Sequence, residues 1–134
     1  MLNALHNDAL GKLILRLTVA GLLLPHGLTK LLDPGSLTGI GNTLAGQGLP
    51  TVLAYGVLIG EVVAPLMALV GWRSRVAGLL MAANMVVAIF LVHMGEVTAF
   101  KDNGGWALEL QGFFLFGALA LVFLGSGRMA WRPD

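Results

Sequence analysis

With 134 residues, 57% of them hydrophobic, 11% charged and none cysteine, the chain reads as one domain far too apolar for a soluble class. Its mean hydropathy of +0.84 marks a membrane protein. A formal net charge of +1 supplies no polyanion-binding patch, which argues against nucleic acid as a partner. The absence of cysteine excludes thiol chemistry, thiolate metal centres and Fe–S clusters built from the chain's own residues.

A helix needs about 20 apolar residues to cross a hydrocarbon layer roughly 30 Å thick. Four stretches meet that need: 13–32, 52–71, 76–95 and 105–124. Lys12 ahead of the first run resembles the start of an export signal. However, Pro25-His26-Gly27-Leu28-Thr29-Lys30 follows where a small-residue cleavage site would stand, so the run is read as the first span. Pro25 removes one helical donor and crowds the Gly21 carbonyl, which predicts a kink just before His26.

The connection 33–51 is rich in glycine, yet Leu37, Ile40 and Leu44 share one helical face, and Asp33-Pro34 suits an N-cap followed by a first-turn proline. A short helix lying across the outer interface is expected there. In the second span Gly56 and Gly60 form a small-xxx-small pair beside Glu61. Pro65 lies four residues beyond Glu61 and should free the Glu61 carbonyl from its helical bond.

Gly71-Trp72-Arg73-Ser74-Arg75 reads as a tight basic turn joining the second and third spans. His93 closes the third span, and Trp106 marks the interface where the fourth begins, with Glu109 in its outer turns. Alternating the spans puts Lys12, Arg16, Arg73, Arg75, Arg128 and Arg132 on one side and only Lys30 and Lys101 on the other. By the positive-inside bias both termini are then cytoplasmic, in the inner membrane. The fold expected is an all-α, transmembrane four-helix up-down bundle with a short interfacial helix in its first outer loop.

Ionisable groups inside hydrocarbon cost several kcal/mol and carry the functional reading. His26 and Lys30, four apart, share a face of the first helix. Glu61 lies deepest, about 13 Å below the outer end of its span at 1.5 Å per residue. With His93 and Glu109 they are expected to converge on one cavity in the outer half, where His26, Lys30 and Glu61 act in proton handling and His93, Glu109 and Trp106 contact a substrate. His26 or Lys30 is the expected partner of Glu61. Arg16 is expected to snorkel to the cytoplasmic face, and Asn84 and Gln111 to join helices by hydrogen bonds. No pair has the Glu-x-x-His spacing of di-iron bundles, so no metal is expected.

These residues, in this order, resemble the DoxX family of small membrane proteins. The likeness rests on Arg16-Leu17, Leu24-Pro25-His26-Gly27-Leu28-Thr29-Lys30, Gly48-Leu49-Pro50, Gly60-Glu61, Gly71-Trp72-Arg73-Ser74-Arg75, His93 and Gly104-Gly105-Trp106-Ala107-Leu108-Glu109. The resemblance implies a four-helix membrane fold and an association with quinone-linked oxidoreductases, hence a quinone as ligand and a redox partner protein as electron donor. Two other readings stay open: a transporter of a small solute or protons along the same polar line, and a non-catalytic scaffold whose ion pairs lock the helices together.

Overall fold

The computed structural model describes residues 2–134, and among them the regular structure is all helical, apart from two isolated bridges, Trp72 to Arg132 and Phe100 to Trp106, in the non-helical connections and C-terminal segment. Helix α1 runs Asp8–Leu32, its first turn capped by the Asn7 side chain accepting from the Leu10 N–H at 3.0 Å. It continues through Pro25, where the Thr29 hydroxyl donates back to the Pro25 carbonyl at 2.8 Å. Helix α2, Pro34–Gly46, occupies the glycine-rich connection, with Asp33 capping the Gly35 N–H and Pro34 in the first turn.

Helices α3 (Thr51–Val70) and α4 (Ser74–Glu96) follow, and α5 (Glu109–Leu124) closes the set. α1, α3 and α4 are long and apolar enough to cross a membrane; α5, with 16 residues, is shorter. The fourth apolar stretch was expected to be helical from 105. Its first residues instead form a turn in which Lys101 donates to the Gly105 carbonyl and Ala107 to that of Ala99. Gly104, at φ +88, takes a backbone conformation open to glycine and strained for other residues, so helix propagation begins only at Glu109.

Small residues set the distances between helices. Val19, Ala20, Leu23, Ala64, Ala68, Ala77, Met81, Ala82, Met85, Phe114, Ala118 and Leu121 form the buried core. Gly78 of α4 lies against the Ala118 carbonyl of α5, where a Cβ would stand only 2.8 Å away. The outward faces carry exposed Leu22, Phe113, Phe116 and Phe123, an apolar surface suited to lipid rather than water.

The basic groups gather at one end, and the C-terminal segment ties that end together. Trp131 N–H donates to the Val70 carbonyl and Arg132 N–H to that of Gly71, while Arg75 Nη1 caps the last carbonyls of α5, at Val122 and Phe123. Arg16 departs from the expected snorkelling. It is only 2% exposed, and its fork donates to the Ser126 carbonyl at 2.6 Å and the Met129 carbonyl at 2.8 Å. The folded-back segment lies over its guanidinium and replaces water as its partner.

Arg16→Lys keeps the charge but not the two-pronged donor, so it should cost about 2 kcal/mol, seen as a lower thermal midpoint in detergent. A midpoint unchanged from wild type would rule out the clamp. Arg73 is the one non-glycine residue among those described at positive φ (+47°), and Arg73→Gly should raise stability by about 1 kcal/mol in the same assay.

Candidate functional site

Two π-turns interrupt α3 and α4 at Ile59–Val63 and Ile89–His93, and each carries one of the expected ionisable residues. In α3 the Ala64 N–H reaches back five residues to the Ile59 carbonyl, and Pro65, which lacks an N–H, comes next. The Glu61 carbonyl lies against the backbone of Gly27 on α1, so closely that any Cβ at Gly27 would collide with it. Likewise a Cβ at Gly60 would collide with the Asn84 side chain of α4. Two glycines thus draw α1 and α4 onto the π-turn that carries Glu61.

That approach brings Lys30 to Glu61. Lys30 Nζ donates to Glu61 Oε1 at 2.9 Å and to Oε2 at 2.8 Å, with the carboxylate side chain 4% exposed and the lysine side chain 31%. Both carboxylate oxygens are engaged by one ammonium, and Lys30 and Glu61 both line a recess of about 100 Å³. His26, His93, Gln111 and Phe114 line the same recess. The His26 ring meets the Phe114 ring edge-on, centroids 5.8 Å apart at 81°. His93 Nδ1 is buried without a hydrogen-bond partner; Glu96 Oε2 lies 3.6 Å away, too far for a hydrogen bond.

Of the expected site residues, the structure brings together His26, Lys30, Glu61 and His93, and sets Glu109 and Trp106 apart from them. Glu109 pairs with Lys101 at 2.6 Å, both half exposed, and lines a separate groove between α1 and α5. The reason is helical phase: Glu109 and Gln111 differ by about 200° around α5, so only one can face the recess, and Gln111 does. Trp106 sits in the turn before α5, its Nε1 donating to the Val97 carbonyl at 2.7 Å and its ring edge against Gly112.

Gln111, expected only as interhelical glue, and Phe114 are additional walls of the site. Their spacing of three, which puts both on one face of α5, was the available signal. Gly27 is a further contributor, visible in sequence only as part of the run from Pro25 to Lys30. Among the described residues, no three His, Asp or Glu side chains gather as a metal-ligand set.

Apolar membrane-length helices around a buried carboxylate paired with a half-buried lysine define the class as a small multi-pass membrane protein. The chain belongs to the DoxX family, whose profile matches residues 11–94. It is 36% identical over 120 residues to an uncharacterised protein of Haemophilus influenzae, covering 87% of this chain and 84% of that one. It is also 26% identical over 124 residues to a Bacillus subtilis protein named "Putative oxidoreductase CatD", covering 92% and 86%. No solved structure matches it.

Removing one partner of the pair leaves a charge stranded, so Lys30→Met should destabilise the protein by about 3 kcal/mol. Lys30→Met with Glu61→Leu should recover most of that loss, a coupling read from a double-mutant cycle in detergent. Additive losses would mean that the two side chains do not interact. Gly27→Ala has no room against the α3 backbone and should cost at least as much as Lys30→Met.

Proposed function

We propose that this protein is the membrane subunit of a quinone-linked oxidoreductase and holds a quinone or similar lipophilic ring at the recess beside Lys30 and Glu61. The observation that carries the reading is the meeting of an ion pair, two imidazoles and an amide from four different helices in one recess. The name borne by the Bacillus subtilis relative agrees with it. In this reading the helices run up and down through the inner membrane, with α5 as the fourth span. Its 16 residues rise about 24 Å. Trp106 anchors its outer margin, α2 lies on the outer interface, and the basic end with both termini faces the cytoplasm.

The donor set fits such a ligand. Lys30 and Gln111 offer N–H groups to carbonyl oxygens, and the unpartnered His93 Nδ1 is the kind of buried atom that a bound group or water satisfies. Converting a quinone to a quinol takes two electrons and two protons. His26, an exposed residue, passes the protons inward one at a time, and Glu61 takes up each in turn and gives it to a ring oxygen of the ligand, two protons in all for the two electrons. Lys30 holds its positive charge where negative charge develops. The chain has no cysteine and no redox centre of its own residues, so a redox partner protein supplies the electrons.

Engagement of both Glu61 oxygens by Lys30 also favours a second reading, in which the pair is solely a helix lock. The two readings differ in what Glu61→Gln does. As a proton-handling group, its loss should lower quinone-dependent electron transfer in native membranes at least tenfold, and His26→Ala should do the same at unchanged protein level. As a lock, Glu61→Gln should lower the thermal midpoint and leave turnover per folded molecule as in wild type. Purified wild-type protein that fails to bind decylubiquinone would remove the quinone reading.

A further inference from the structure

The recess beside Lys30 and Glu61 is about 100 Å³, well below the roughly 300–1,000 Å³ typical of sites for drug-sized ligands. A ring with a hydrocarbon tail therefore needs more room than the recess alone has. Two larger apolar grooves flank it. One, of about 500 Å³, lies between α1 and α5 and is lined by Val19, Leu22, Phe113 and Phe114, with the Lys101–Glu109 pair also on its wall. The other, of about 600 Å³, lies between α3 and α4 and is lined by Val57, Gly60, Asn84 and Val87.

What separates each groove from the recess differs in kind. Toward α3–α4, the partition is Gly60 pressed on Asn84 with no space for a Cβ, a helix-to-helix contact that opens only if the helices part. Toward α1–α5, the partition consists of two side chains, Leu110 and Phe114, which line both spaces. Leu110 is 48% exposed, so a change of its rotamer joins groove to recess without moving a helix, whereas Phe114, 6% exposed and packed in the core, stays as the fixed inner wall. Joined, they fall within the usual range of ligand sites.

Resting on the reading of the recess as a quinone site, we infer that the α1–α5 groove is the lateral entrance from the lipid and the seat of the ligand's alkyl or prenyl chain, with Leu110 as the gate. The groove is the place for a chain because its walls are apolar and aromatic and its open side faces the lipid surface formed by Leu22 and Phe113. Glu109 and Lys101 then mark the polar margin of the entrance and take no part in proton handling.

The test compares decylubiquinone with its tail-less parent, 2,3-dimethoxy-5-methyl-benzoquinone, by titration calorimetry on purified protein in detergent, with empty micelles as baseline. Leu22→Trp plugs the α1–α5 groove and Val87→Trp the α3–α4 groove; both positions are on the exposed apolar surface, and unchanged thermal midpoints establish that the variants fold. The expected result is that Leu22→Trp weakens decylubiquinone at least tenfold and the tail-less quinone less than twofold, while Val87→Trp changes neither. Phe113→Ala, which trims a groove wall, should weaken decylubiquinone alone. If Val87→Trp weakens decylubiquinone and Leu22→Trp does not, the entrance lies between α3 and α4 and the inference is wrong while the quinone reading survives. Binding of both quinones unaffected by either plug also overturns the lateral entrance, and a wild type that binds neither overturns the quinone reading itself.

Discussion

The arrangement of this protein turns on one contact, the Glu61 carbonyl against the backbone of Gly27. With any larger residue at Gly27, α1 and α3 would stand farther apart, and Lys30, one turn along α1, would not reach both oxygens of Glu61. The π-turn at Ile59–Val63 belongs to the same device. It alters the helical phase just where Pro65 interrupts the hydrogen-bond ladder, leaving the acid in the interior beside its cation. A buried carboxylate is costly when left unpaired, so the pair and the close helix approach depend on one another.

The two ends of the molecule are built differently. At the basic end Arg16 and Arg75 spend their donors on backbone carbonyls of the C-terminal segment and of α5, fastening helix ends and turn into one block. At the other end the polar groups are not all consumed. His93 Nδ1 has no partner, and His26 makes only an aromatic edge contact with Phe114. Buried atoms without a partner stand at both ends, Arg16 Nε and Ser74 Oγ at the basic end and His93 Nδ1 at the other, but of these residues only His93 lines the recess.

Much of this was legible in the chain itself. Spans of about 20 apolar residues, an N-cap ahead of a first-turn proline at Asp33-Pro34, and basic residues clustered by alternate loops are local or compositional signals, and the helices α1 to α4 follow them. The pairing of Glu61 with a basic group of α1 was also accessible, since a mid-span acid demands a partner and few exist. What sequence reasoning missed depends on phase and close packing. Glu109 lies only two residues from Gln111, so its phase on the helix turns it away from the recess, and a 105 start for the helix hides that Trp106 belongs to the preceding turn. Arg16 reads as a surface cation until a segment more than a hundred residues away folds over it. The π-turns leave no clear mark on composition.

The same phase argument gives the acidic residues different work. Glu61 is shielded on α3 and engaged by an ammonium through both oxygens, whereas Glu109 is half exposed and engaged by Lys101 through one. A group in the first situation responds to changes within the recess, because low local dielectric strengthens every charge interaction there. A group in the second is screened by its surroundings and contributes little beyond a local tie. Depth and company, more than residue type, therefore separate the shielded acid of the recess from the half-exposed acid beside Lys101. Of the carboxylates on the helices that form the recess, only Glu61 lines it.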